Sequence, residues 1–307
     1  MIKNYDFDSV DELMEFISPW GASPDLDGYV FRGHSQEHYQ LIPTALRPDK
    51  IDEFWKVSIL GRPIENQNEL SSWQIGAEYS LIREFYRLAD KQGLDVPISD
   101  RIRKNLVQEF DIREISLVRT SEKWIPNDLL EVVALAQHYG IPTRLLDWTY
   151  DINVALYFAF KGAIDKEGKL VIWAINKEYL SFLKGTVNEV NIDFITPHYA
   201  GNPNLSAQKG LFTSWPVERL DFFSEANNMF NGNTILVDRR PLDELIKSNL
   251  TCLDDGVDIF KRFTLPCKEA RKGCNILKKM SYGSARIFPG YQGVADQILQ
   301  NHKLNMQ

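Results

Sequence analysis

The chain is poor in the residues that staple or anchor a fold. Its 307 residues include three cysteines, Cys252, Cys267 and Cys274. They are odd in number, lack Cys-x-x-Cys spacing and have no nearby histidine, which argues against a disulfide framework and a zinc site. A reducing, cytoplasmic setting is the expectation. The longest apolar run, Val154 to Phe160, has seven residues, against the roughly 20 needed to cross a bilayer, so no membrane partner is expected. The first twenty residues carry five acids and lack a basic start with an apolar middle, which predicts no signal peptide. Gly-x-Gly-x-x-Gly, P-loop and Gly-x-Ser-x-Gly motifs are missing, which removes the usual sequence support for Rossmann, NTPase and α/β-hydrolase chemistry. His34, His38 and His198 are scattered without ligand spacing, and no metal is expected. An excess of base is lacking too. With 35 basic and 42 acidic residues the net charge is −7, which argues against a nucleic-acid backbone as the main ligand.

What is present reads as a globular chain with a substantial core, 44% hydrophobic and 25% charged. Ser9-Val10-Asp11-Glu12 forms a capping box for a helix with Val10, Leu13, Met14 and Ile17 on one stripe. Gly28 to Gly33 reads as a short strand with Tyr29 and Phe31 on one face and Val30 and Arg32 on the other. Residues 74–90 carry Ile75, Tyr79, Ile82, Tyr86 and Ala89 at helical spacing. Asn127 is placed to cap a nearly all-apolar helix through Tyr139, ended by Gly140 and Pro142. Thr149 or Asp151 can cap a second one, Ile152 to Ala163. Leu170 to Ile175 reads as a strand buried on both faces. Further strands are predicted at Leu211–Trp215, Thr234–Val237 and Ile259–Leu265, and a helix at Lys268 to Met280 with a last one after Pro289. Residues 49–70 and 90–125 read as variable insertions, the second with a helix at Ile102 to Phe110. No linker divides the chain. The expectation is one α+β domain over 1–307, with a mixed, mainly antiparallel sheet and buried helices at 127–139 and after Asp151.

Two stretches concentrate polar chemistry: Tyr29-Val30-Phe31-Arg32-Gly33-His34, and Gln137-His138-Tyr139-Gly140-Ile141-Pro142-Thr143-Arg144-Leu145-Leu146-Asp147-Trp148 followed by Thr149. Arg32 at a strand end offers five fixed donors to an anion, and Gly33 lets a partner come close. The same arginine could instead be held in an ion pair, for instance with Asp147. Gln137 and His138 read equally as ligand donors or a base, or as side chains bonding the loose carbonyls of a helix end. Arg144 and Asp147, three residues apart, are expected to pair and lock the loop. Thr149 stands where helix N–H groups favour an anion. Trp148 is an aromatic wall or core bulk.

Together these stretches resemble the FRG domain, a bacterial and phage-associated family named for its (Phe/Tyr)-Arg-Gly motif. The resemblance is best over residues 26–160. Gln208-Lys209-Gly210-Leu211-Phe212-Thr213 and Ile287-Phe288-Pro289 with Gly293 are similar to the family's later motifs. Gly290, Tyr291 and Gln292 stand where acids are usual, and Asn204 where an arginine is. The (Phe/Tyr)-Arg-Gly motif is similar, more distantly, to the first-strand arginine motif of ADP-ribosyltransferases. That resemblance implies NAD as a substrate, with Arg32, Thr149 and Gln208 as catalytic residues and Phe31, Gly33, Gln137, His138, Thr143 and Trp148 around the ligand. It implies an ADP-ribosyltransferase or NAD glycohydrolase, or an NAD-binding protein, of a prophage or anti-phage system. No glutamate is assigned to the oxocarbenium-like ribose. The alternative is a non-enzymatic nucleotide-sensing or protein-binding module with the same pocket.

Overall fold

The structure is a computed structural model. It describes residues 2–21, 26–57, 70–98, 103, 123–184, 190–200, 202–218, 228, 231–232, 235–250 and 258–305. In chain order the strands are β1 (Ile2–Asp6), β2 (Tyr29–His34), β3 (Lys123–Trp124), β4 (Leu146–Thr149), β5 (Lys169–Asn176), β6 (Asp193–Ile195), β7 (Gly210–Ser214), β8 (Val217–Glu218) and β9 (Phe260–Pro266). The helices are α1 (Val10–Phe16), α2 (Ile51–Val57), α3 (Ser71–Lys91), α4 (Leu130–His138), α5 (Ile152–Ala163) and α6 (Lys177–Leu183). They continue with α7 (Pro203–Ala207), α8 (Leu242–Asn249), α9 (Ala270–Lys279), α10 (Ser284–Ile287) and α11 (Tyr291–Asn305).

Seven strands form one sheet in the order β1-β9-β5-β2-β4-β7-β6. β1 runs parallel to β9, while β9–β5, β5–β2 and β2–β4 are antiparallel. The sheet is therefore mixed and mainly antiparallel, and the α+β class expected from the sequence holds. β3 and β8 make a separate antiparallel pair.

Alternation along the strands divides their residues between two faces. Tyr29, Phe31, Leu170, Ile172, Ala174, Phe263 and Leu265 join the hydrophobic core with α5, α9 and Leu13 of α1. Val30, Arg32 and His34 fall on the opposite face. Gly33 lies on the helical face, where a β-carbon would sit 1.9 Å from the Ala155 carbonyl oxygen. The partner that this glycine admits is thus the α5 backbone, where the sequence had suggested a ligand.

The chain divides into two compact units. Unit 1 comprises 1–41, 147–212 and 243–307, and unit 2 comprises 42–146 and 213–242. In unit 1, α5 begins at Asp151, whose side chain accepts the Asn153 N–H, and α1 begins at Ser9, which accepts the Glu12 N–H. Most of α5 is buried. In unit 2, α4 is also largely buried, but Asn127 opens a 3-10 turn (Asn127–Leu129) ahead of it and does not cap it. Gly140, at φ +90°, and Ile141 close α4 with N–H bonds to the Gln137 and Ala136 carbonyls, the Schellman arrangement that favours glycine. α3 packs on α4, and a small apolar cluster gathers Ala45, Phe54, Trp55, Ala77 and Leu81.

Other expectations are met unevenly. The strands at 211–215 and 259–265 appear one residue displaced, as β7 and β9. Thr234 lies outside the described residues, and Leu236 makes only an isolated bridge to Leu70. The insertion at 49–70 contains α2, which Phe54 and Trp55 anchor by burial, while 58–69 lie outside the described residues. So do 99–102 and 104–122, including most of the helix predicted at 102–110.

Candidate functional site

Arg32 and His34 are two residues apart on β2, so the pleat puts both side chains on the face opposite the core helices. Arg32 Nε donates to His34 Nε2 at 2.8 Å, and its Nη1 donates to the Asp147 main-chain oxygen at 2.7 Å and to Asp147 Oδ2 at 3.3 Å. An arginine nitrogen never accepts. His34 Nε2 must therefore be the bare acceptor, and the ring proton sits on Nδ1, which donates to the Tyr39 carbonyl at 3.2 Å. His34 is buried and Tyr39 meets its ring edge-on. The result is a guanidinium fixed from two sides. Its side chain is 15% exposed, whereas that of Asp147 is 60% exposed. The carboxylate contact is the longest and wettest of the three.

Thr149 is registered opposite Phe31. It closes β4 and does not open α5. Its Oγ1 donates to the Gln208 carbonyl at 2.6 Å and accepts the Asp151 N–H at 3.0 Å. Gln208 Nε2 donates to the Ile287 carbonyl at 3.2 Å. Between them stands Asp151, buried, with Oδ1 capping α5 and Oδ2 accepting from Tyr282 Oη at 2.8 Å and Lys209 Nζ at 3.0 Å. Burial alone would raise the Asp151 pKa; the bonds from Tyr282, Lys209 and the Asn153 N–H outweigh it and hold the carboxyl below its ordinary range. Of the three residues expected to act together, Thr149 and Gln208 meet beside Asp151, while Arg32 bonds His34 and Asp147.

Gln137, His138 and Thr143 belong to unit 2. Thr143 Oγ1 donates to Gln137 Oε1 and accepts the Leu145 N–H, so these side chains tie the loop after α4 to the helix end. The His138 ring meets that of Tyr139 edge-on. Phe31 and Trp148 are buried in unit 1.

The expected Arg144–Asp147 pair does not form. Arg144 Nε and Nη2 donate to Glu78 Oε2 and Oε1 at 2.7 and 2.9 Å, with both side chains 3% exposed. Glu78 also accepts from Trp124 Nε1 at 2.7 Å and Gln74 Nε2 at 3.0 Å. A buried arginine needs a bidentate, equally buried carboxylate. Asp147, three residues on and mostly in water, does not provide one.

The sequence reading missed His34 and Glu78, and both left a signal. His34 shares a strand face with Arg32 by i, i+2 alternation. Glu78 interrupts the apolar stripe of α3 between Ile75, Tyr79 and Ile82, where a charge requires a partner. Cys267 and Cys274 are free and buried; burial pushes the Cys274 thiol up to about 11, which keeps it protonated near neutrality. Cys252 lies outside the described residues.

No described helix is long and apolar enough to cross a membrane. No match was found among curated proteins or among solved structures. Residues 27–168 match the FRG domain family. That span takes in the Arg32–His34–Asp147 cluster, the Arg144–Glu78 pair and the whole of α5, and the chain therefore carries an FRG domain over residues 27–168.

Proposed function

We propose that the FRG domain is a nucleotide-recognition module in which Arg32 receives a phosphate group, with NAD and ADP-ribose as the ligands to test. The observation that carries this reading is the state of Arg32. Its Nε is oriented by His34 and its Nη1 by the Asp147 carbonyl, while the Asp147 carboxylate is exposed and 3.3 Å away. An incoming phosphate would displace that carboxylate, which is held weakly because water screens it. The guanidinium itself loses little freedom on binding, which favours affinity. Such a module suits the phage-related bacterial setting that the FRG resemblance implies.

Recognition is favoured over ADP-ribosyl transfer or NAD hydrolysis by what Thr149, Gln208 and Asp151 do. Thr149 bonds the Gln208 main chain, the Gln208 side chain bonds Ile287, and the carboxylate among them is engaged by Tyr282, Lys209 and the start of α5. These groups maintain the fold. The test is calorimetric titration of NAD and ADP-ribose into wild type, Arg32→Ala and Arg32→Lys, with folding verified by circular dichroism. Charge-assisted bonds to a phosphate contribute roughly 1.5–3 kcal/mol. Arg32→Ala should therefore bind about tenfold or more weakly, and Arg32→Lys should recover part of the loss, since the charge remains but the fork is gone. Wild type that binds neither ligand would refute the reading. Turnover of NAD by purified wild type, abolished in Asp151→Asn, would instead support the enzyme.

A further inference from the structure

A second arginine lies in line with Arg32 across the sheet. Arg32 on β2 is registered opposite Trp173 on β5, and Trp173 opposite Arg262 on β9, so all three side chains project from the same face. With strands about 5 Å apart, the two arginines flank the indole at a spacing of about 10 Å between their α-carbons. The Arg262 guanidinium stands 5.8 Å from the centre of the Trp173 ring. Its arrangement parallels that of Arg32: it is 23% exposed and meets one more exposed carboxylate, Glu37, at 3.1 Å. Trp173 is 7% exposed, and its Nε1–H is buried without a hydrogen-bond partner among the described residues. A buried donor with no acceptor costs free energy, and an anion accepting from it would remove that cost.

We infer that Arg32, Trp173 and Arg262 form one site for a diphosphate, in which Arg32 and Arg262 each take one phosphate and the Trp173 indole N–H donates between them. The inference rests on the phosphate-binding reading of Arg32 and adds to it the ligand class and a second recognition residue. A single phosphate reaches one arginine; a diphosphate, in a free nucleoside diphosphate or in a dinucleotide, reaches both. Arg262 is thereby the residue that separates diphosphates from monophosphates. Both Arg262 and Trp173 lie outside residues 27–168, so the FRG segment alone carries only Arg32 of the three.

The experiment titrates AMP, ADP and ADP-ribose into the full chain as wild type, Arg262→Gln and Arg32→Ala, each with its fold checked by circular dichroism. Wild type is expected to bind ADP and ADP-ribose more tightly than AMP. Arg262→Gln should weaken both diphosphates by about tenfold and leave AMP within about twofold, whereas Arg32→Ala should weaken all three. Comparing ADP with ADP-ribose within the same series shows whether the nucleoside diphosphate suffices or the second ribose adds contacts; the site stands in both cases. Arg262→Gln binding ADP-ribose as tightly as wild type, with Arg32→Ala impaired, overturns the two-arginine site and leaves Arg32 in place. Equal weakening of AMP and ADP-ribose by Arg262→Gln overturns the separate-phosphate assignment. Wild type that binds none of the three overturns the inference together with the reading beneath it.

Discussion

Arg144 and Glu78 exchange two hydrogen bonds at 2.7 and 2.9 Å, with both side chains 3% exposed. Removing one partner would strand the other charge away from water. Arg144→Ala should therefore destabilise by about 3–5 kcal/mol, visible as a large fall in melting temperature. Asp147→Ala should behave differently. Its carboxylate is 60% exposed and 3.3 Å from Arg32, so the loss should stay within about 1 kcal/mol. The main-chain oxygen that orients Arg32 remains, and the competitor for phosphate is gone, so this variant should bind ADP-ribose at least as tightly as wild type. A melting temperature that falls as far in Asp147→Ala as in Arg144→Ala would reverse the assignment. The contrast marks where local spacing fails as a guide. Arg144 and Asp147 are close in sequence, yet the partner of Arg144 lies 66 positions upstream on α3, beyond any spacing rule.

Elements were more legible than pairings. The period of 3.6 and the cap at Asp151 are local properties, and α5 spans Ile152–Ala163 as its sequence predicts. The alternation that sets Phe31 against Arg32 is equally local, and carried two residues further it would have set His34 beside Arg32. What the period cannot show is which neighbour a face meets. Gly33 illustrates this, because the close approach it permits is to Ala155 of α5. Gly33→Ala should push β2 and α5 apart and destabilise by roughly 1–3 kcal/mol, as overpacking does; a variant melting like wild type would show that the contact yields freely. At the start of α5, Asp151→Ala removes the cap together with the Tyr282 and Lys209 contacts, at a cost of about 0.5–2 kcal/mol for the cap. The folded-state pKa of Asp151 lies below its ordinary value. Its contribution is therefore fully present above the unfolded pKa of about 3.9 and fades as pH falls through the lower folded value. Melting temperatures of wild type and Asp151→Ala should differ most near neutrality and converge below about pH 4.

At the scale of the molecule, the sheet is assembled from distant parts of the chain. The first strand pairs with the last, β1 with β9, and β2 finds its longest partner in β5, which begins at Lys169. The FRG match ends at residue 168, one residue before that strand. A fragment of residues 27–168 would expose both the β2 edge toward β5 and the apolar side of α5, and it should show no cooperative thermal transition, whereas the full chain should. The diphosphate site has the same non-local character, since Arg262 comes from β9. The most direct measurement of the account is the structure of the full chain crystallised with ADP-ribose. The account predicts a phosphate oxygen within hydrogen-bond distance of Arg32 Nη1, the Asp147 carboxylate turned away, and the Arg32–His34 bond retained. ADP-ribose bound elsewhere, with the Arg32–Asp147 contact intact, would contradict it.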